Sequence, residues 1–146
     1  SQDLIGRKTI KCGGAYIAEY ITEIRDFANA LDTDLNFIKD ATLDAATEIE
    51  AITQFIIEQA AENVEFPNST AVDYLSAVGL LSFSYMFAKI AAAAKDKSGD
   101  FYQNKLALAQ YFVDRILPEL DSRLAKIKSG SDLIMNFSED YFTNQA

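Results

Sequence analysis

Hydrophobic residues recur at three- and four-residue steps along most of this chain, which is the period of an amphipathic helix. The first such run covers residues 15–31, where the charged side chains fall off the apolar stripe. That stripe consists of Ile17, Tyr20, Ile21, Ile24, Phe27, Ala28 and Leu31. A second run covers residues 35–62, and Thr33 and Asp34 precede it as suitable capping residues. Sustained alternation of apolar and polar residues, which would indicate strands, is missing.

Residues 70–96 predict a third helix of different character, because they are apolar on nearly every side. Between Val72 and Ala94 the only charged residues are Asp73 and Lys89. A membrane span requires about 18 or more clean apolar residues, and serines and Lys89 interrupt this run. We therefore expect a helix that is buried on most sides, or half-buried in the domain and half-buried in a partner.

The break before this third helix contains a proline and several candidate capping residues. Pro67 should stop any helix that runs into it. Asn68, Ser69 or Thr70 can then cap the next helix, and Thr70 with Asp73 has the form of a capping box.

A fourth apolar stripe runs from residue 101 to residue 129, and Asp100 suits the start of that helix. Pro118 lies inside the run, where it deletes the hydrogen bond to the Asp114 carbonyl and should kink the helix. Gly130 occupies the position just past the end. Matched lengths and short loops predict an all-α, up-down four-helix bundle over residues 14–130, with an extended N-terminal segment and a short C-terminal tail at residues 131–146.

Length and composition predict one domain with an ordinary soluble composition. The chain has 146 residues, of which 49% are hydrophobic and 24% are charged. Its net charge of -9 disfavours phosphate backbones and anionic lipid, so neither nucleic-acid binding nor membrane contact is expected. Cys12 is the single cysteine, which excludes an internal disulfide. With no secretory signal at the start, we expect a reducing, cytoplasmic location.

The residue type that is commonest as a general base and as a metal ligand is missing. The chain has no histidine, which removes the commonest general base and the commonest metal ligand. Glu48, Glu50 and Glu58 lack the Glu-x-x-His pairs of a di-metal site. The run "DTDLNF" from Asp32 lacks the glycine and the glutamate of a calcium loop. Cys12 has no histidine to activate it, so we predict no catalytic, cofactor-binding or metal-binding residue in this chain.

Two stretches carry a more specific pattern. "DLIGRKTIKCGGAYIAEYITEI" has the form Asp-Leu-x-Gly-Arg-Lys, then Gly-Gly, then a helix, and residues 102–142 combine Lys-x-x-x-Ala-x-x-(Phe/Tyr), a Leu-Pro step and Gly-x-Asp-x-(Leu/Ile)-Met. The positions are Asp3, Leu4, Gly6, Arg7, Lys8, Gly13, Gly14, Lys105, Ala109, Phe112, Leu117, Pro118, Gly130, Asp132, Ile134 and Met135. Both stretches resemble the acyl-CoA dehydrogenase family, in the branch with an extra C-terminal helical domain.

The resemblance implies that residues 1–13 are a linker from a catalytic body that precedes them. It implies that the full-length enzyme dehydrogenates acyl-CoA thioesters at the α and β carbons in fatty acid metabolism, with FAD as cofactor and an electron-transfer flavoprotein as electron acceptor. The family's catalytic glutamate lies in a Tyr-Glu-Gly-Thr context that this chain lacks. For this segment the resemblance therefore implies no catalysis and no cofactor, but a structural role against its own catalytic body and in a homo-oligomer.

The alternative interpretation is a stand-alone helical adaptor. It would use residues 71–94, or a groove beside them, to bind a partner helix.

Overall fold

The computed structural model describes residues 1–130, apart from the side chains of Arg7 and Lys8, and every regular element in that range is helical. The α-helices are α1 (Ala15–Asn29), α2 (Asn36–Glu62), α3 (Phe66–Ala94), α4 (Asp100–Tyr111) and α5 (Glu119–Lys128). The all-α bundle predicted from the sequence is therefore confirmed. The predicted C-terminal tail, with Asp132, Ile134 and Met135, lies outside the described residues. The proposed division into a linker at residues 1–13 and a bundle at residues 14–130 stays a prediction.

Helix α3 is the central element, because it contacts every other helix in the described part of the chain. Buried hydroxyl pairs fix its direction against α2: Thr42 meets Ser84 at 2.7 Å, and Thr53 meets Tyr74 at 2.9 Å. The partner's residue number falls as the number in α2 rises, so the two helices run antiparallel. This is the up-down connection expected from a short loop.

Two hydrophobic cores stack along α3. The larger core joins α1, α2, α3 and α5, and its fully buried side chains include Ile21, Ile24, Ile49, Ile52, Ile56, Tyr74, Leu81 and Ile127. The smaller core lies where α2 begins and α3 ends, and it is rich in alanine. Its buried members are Leu35, Ile38, Ala88, Ala91 and Ala109. We refer to the two as the isoleucine core and the alanine core.

The N-terminal segment is helical, so the prediction that it is extended was wrong. Asp3–Ile10 form wide π-type turns, in which the Lys11 N–H donates to the Gly6 carbonyl at 3.2 Å. Ile5 is 1% exposed and Thr9 is fully buried, so this segment places an apolar side on the isoleucine core. Tertiary burial of two side chains outweighs the lack of a long helical period in the sequence.

The predicted fourth helix is broken into two. Helix α4 ends at Tyr111, one wide π-type turn spans Phe112–Ile116, and α5 begins after Pro118. The Leu117 N–H donates to the Phe112 carbonyl at 2.9 Å. Because Pro118 has no N–H, the chain cannot continue a regular helix across it, and the kink that the sequence predicted becomes a break.

The residues predicted to cap α3 lie inside the helix instead of before it. Helix α3 begins at Phe66, and Pro67 lies in its first turn, where a missing N–H costs little. The hydroxyls of Ser69 and Thr70 donate to the Phe66 carbonyl at 2.8 and 3.2 Å, so they do not cap N–H groups. Asn68 also lies inside the helix.

The start of α2 differs from the prediction, whereas the start of α4 and the end of α5 agree with it. Residues Thr33–Leu35 form a 3-10 turn ahead of α2, and no side-chain hydrogen bond caps the start of α2, so Thr33 and Asp34 are not the caps expected. Asp100 is the first residue of α4, after Gly99. Gly130 has a φ of +77° just past α5, which confirms its predicted place at the helix end.

Candidate interaction surface

One side of α3 is apolar and exposed. Val72 is 65% exposed, Leu75 46%, Phe83 59% and Met86 52%, on the side opposite the buried Tyr74 and Leu81. We define the α3 outer face as Val72, Ser76, Gly79, Phe83, Met86, Ile90 and Ala93, and Leu75 lies beside it. Half of the most apolar window of α3 is buried inside the structure. Of the two alternatives expected from the sequence, the structure supports the helix that is half-buried in its own domain, and burial of the other half in a partner stays a prediction.

Polar contacts lie along one edge of the α3 outer face, next to α1. The Tyr20 hydroxyl donates to the Ser82 hydroxyl at 3.1 Å, and the Tyr85 hydroxyl donates to a Glu23 carboxylate oxygen at 2.8 Å. Lys89 lies over the Tyr85 ring, 3.9 Å from its centre. The hydrogen bond to Tyr85 raises the pKa of Lys89. The only cation between Val72 and Ala94 is thus turned toward α1, and the seven positions of the face carry no charge.

The opposite edge is fixed by an ion pair between α3 and α5. Arg123 Nη1 lies 3.0 Å from Asp73 Oδ1, and the same guanidinium binds Glu119 one turn earlier in α5. These hydrogen bonds, first to Glu119 and then to Asp73, raise the pKa of Arg123. Because all three groups are partly exposed, the contact sets geometry more than stability.

Helix α4 extends the exposed apolar surface beyond the end of α3. Phe101 is 65% exposed, Leu108 47% and Tyr111 55%. A shallow cavity of about 170 Å³ lies between the two helices, lined by Ile90, Ala93, Ala94, Lys97, Phe101, Tyr102 and Lys105. The α3 outer face therefore borders a cavity that it shares with the start of α4.

A second concave region lies between α1 and α2 and has a volume of about 390 Å³. Gly14, Ile17, Ile21 and Thr53 are among the residues that line it. Glu50 reaches it but binds Arg25 at 2.8 Å. The hydrogen bond to Arg25 lowers the pKa of Glu50. The carboxylate is therefore committed to that partner.

The acidic residues that the sequence singled out are dispersed among the described helices. Glu58 accepts a hydrogen bond from Gln54 at 2.9 Å, and Asp32 binds Lys95 at 2.5 Å. Glu48 borders a different cavity from the one that Glu50 reaches. Within residues 1–130 no three His, Cys, Asp or Glu side chains come together as a metal site would require. Cys12 is exposed.

Buried hydroxyl groups connect the N-terminal segment to the core, and the sequence pattern did not predict them. Thr53 donates to the Ile49 carbonyl at 2.6 Å, so the Thr53 oxygen accepts from the Tyr74 hydroxyl. Thr9 donates to the Leu4 carbonyl at 2.9 Å and also lies by Tyr74. The available signal was the threonine at position 53, on the apolar stripe of α2. These groups are structural, because each lies inside the packed core.

Stability at high pH should depend on Tyr74. Burial raises the pKa of its hydroxyl above the ordinary value of 10, against the opposing effect of the neighbouring Thr53 and Thr9 hydroxyls. The unfolded chain then loses this proton at a lower pH than the folded chain, so stability falls as pH rises above about 10. Above this pH the free energy of unfolding of the parent chain should fall more steeply than that of Tyr74→Phe. The difference in slope is expected to be up to about 1.4 kcal/mol per pH unit. Urea unfolding between pH 8 and pH 11.5 measures this, and parallel curves would contradict it.

Helix α3 is long and apolar enough to cross a membrane by length and composition. Core helices of soluble proteins share both properties, and α3 packs against every other described helix.

Comparison with known proteins gives a family match and a similar protein. Residues 20–138 match the family described as acetyl-CoA dehydrogenase C-terminal like. The chain is also similar to the broad-specificity linear acyl-CoA dehydrogenase FadE5 of Mycobacterium tuberculosis, with 27% identity over 158 residues. That similarity covers 97% of this chain but 26% of the relative, so the chain spans about a quarter of that protein's length. No solved structure gives a significant match.

Proposed function

Because the chain belongs to the acetyl-CoA dehydrogenase C-terminal-like family, we propose that it is the accessory helical domain of an FAD-dependent acyl-CoA dehydrogenase. The whole enzyme would dehydrogenate acyl-CoA thioesters, and an electron-transfer flavoprotein would reoxidise it. In this proposal the domain does no chemistry itself. It packs against the catalytic body and helps to hold the subunits of an oligomer together.

The observation that carries the packing role is the exposed apolar surface of α3. Val72, Phe83 and Met86 are each more than half exposed, and they lie on one side of a helix that is otherwise the centre of the fold. Large contiguous apolar surfaces on a soluble domain mark contact sites. A domain that exposes such a surface is suited to packing against another protein surface.

The groups nearest the α1–α2 cavity that could hold a diphosphate are already engaged, which supports assigning the flavin to the rest of the enzyme. A flavin dinucleotide needs N–H groups or cations for its diphosphate. The N–H groups of Gly13, Gly14 and Ala15 donate to backbone carbonyls, at 3.1, 2.7 and 3.0 Å. Arg25, beside the α1–α2 cavity, is held by Glu50. When bound elsewhere in the enzyme, FAD would accept the hydride from the substrate.

The test compares the 146-residue chain with the full-length protein that contains it. We expect the chain alone to be colourless and inactive toward acyl-CoA thioesters, and the full-length protein to contain one flavin per subunit and to reduce a dye acceptor. A matched full-length variant with Val72→Asp and Phe83→Asp should have a weakened oligomer by sedimentation. Stoichiometric FAD on the chain alone, or a full-length protein without dehydrogenase activity, would contradict the proposal.

A further inference from the structure

We propose that the α3 outer face pairs with the same face of a second copy, with the two α3 helices antiparallel. This inference rests on the proposed packing function and names the partner of that surface. The contact would be isologous, because the same seven positions face each other across a two-fold axis.

The spacing of the face is that of a helix that packs along another helix. Val72, Ser76, Gly79, Phe83, Met86, Ile90 and Ala93 follow one another at steps of 4, 3, 4, 3, 4 and 3 residues. Alternating steps of four and three are the seam of a coiled coil, and they keep one side of the helix against its partner over several turns. The 22 residues from Val72 to Ala93 make a seam about 33 Å long at 1.5 Å per residue.

Side-chain size favours the antiparallel pairing of two copies. When the seam is reversed on itself, Val72 meets Ala93 of the second copy, Ser76 meets Ile90 and Gly79 meets Met86. Each small residue then faces a larger one, and Phe83 meets its own counterpart at the axis. A parallel pair would instead stack glycine on glycine and serine on serine, which leaves voids at those layers and crowds the layers of Phe83 and Met86.

Gly79 supplies an independent argument. Glycine in the middle of a helix is unfavourable compared with alanine, so a structural reason is expected. Within the described structure a Cβ at this position would have no atom within 4 Å. The domain itself therefore does not require glycine here. A second helix that approaches closely at this point, with the Met86 side chain over the bare backbone, would require it.

The charge distribution permits association of identical copies. The chain carries a net charge of -9, which opposes self-association at most surfaces. The seven seam positions are uncharged, and Lys89 is turned to the ring of Tyr85. A seam of one helix per copy lies at the small end of the range for stable interfaces, so a dissociation constant on the order of micromolar is expected for the chain alone.

The test is disulfide cross-linking of the chain with Cys12→Ser as background, because that leaves no other thiol. We expect Phe83→Cys to link into dimers on mild oxidation, Val72→Cys to remain uncrosslinked, and Val72→Cys with Ala93→Cys in one chain to link efficiently. Within one copy positions 72 and 93 are about 31 Å apart along the helix, so that link must form between copies. Gln54→Cys, exposed on α2, is the matched control and should not link.

Sedimentation provides the second measurement. Gly79→Leu should raise the dimer dissociation constant at least tenfold, while its helical circular dichroism stays unchanged because leucine is a good helix former and a Cβ at this position has no atom of the domain within 4 Å. Efficient linking of Val72→Cys alone would indicate a parallel pair and would overturn the inference. A monomeric chain at 100-fold above the expected constant would overturn it too, as would monomers that sediment with phosphatidylcholine vesicles.

The same cysteine variants in the full-length protein separate this inference from the proposed function. A flavin-containing, active dehydrogenase whose position 83 does not link would show that the catalytic body covers the seam, and only the inference would fail. A full-length protein without flavin or dehydrogenase activity would end the proposed function, whatever the cross-linking result.

Discussion

Replacing Phe112 by alanine should lower the free energy of unfolding by about 3–5 kcal/mol, the usual cost of deleting a buried aromatic ring. Phe112 is 1% exposed, and its ring is stacked on Phe87 with centroids 4.7 Å apart. Phe112 is also the first residue of the wide turn between α4 and α5, so loss of its ring leaves a cavity beside the break between the two helices. Urea unfolding followed by circular dichroism gives the value.

Phe101→Ala is the matched control, because it removes the same side chain from an exposed position in the same part of the chain. Phe101 is 65% exposed and contacts the Tyr102 ring edge-on. We expect a change within about 0.5 kcal/mol, as for most surface substitutions. Equal losses in the two variants would show that burial at position 112 is not what stabilises this region.

Gly14→Val should destabilise the domain by about 2–4 kcal/mol, from backbone strain together with crowding. Gly14 has a φ of +78°, which a β-branched residue rarely adopts. A Cβ there would also lie 3.3 Å from Ile57 Cδ1 and 3.5 Å from Thr53 Cγ2. Thermal unfolding monitored by circular dichroism would show the loss as a lower Tm.

Gly13→Val separates the two causes. Gly13 has a φ of +56°, but a Cβ there would have no atom within 4 Å. This variant should suffer the strain without the crowding and should lose less stability than Gly14→Val. If the two variants were equally destabilised, crowding of the new side chain against Ile57 would not contribute to the loss of stability in Gly14→Val.

The helices were predictable where a single stripe of apolar residues faces one core. The stripe around Ile49, Ile52 and Ile56 predicts α2 to within one residue at each end. The N-terminal segment was not predictable in this way. Its burial depends on Ile5 and Thr9 meeting side chains that lie far away in sequence, such as Tyr74, and no local pattern records that contact.

Helix ends and the candidate surface were predictable only in part. Ser69 and Thr70 have the residue types of caps, but a hydroxyl can equally donate to a carbonyl one turn back, as both do here. For α3 the sequence showed an apolar excess on all sides. It could not show which side remained exposed, because that depends on where α1 and α5 lie.

The alanine core has a consequence for how the domain fluctuates. Ala88, Ala91 and Ala109 let the α3 and α4 backbones approach closely, but each buries far less apolar area than the isoleucines at the other end. Transient openings should therefore begin where α3 meets α4 and spread toward the isoleucine-rich end. The domain therefore has one end of high local stability and one end that opens more often.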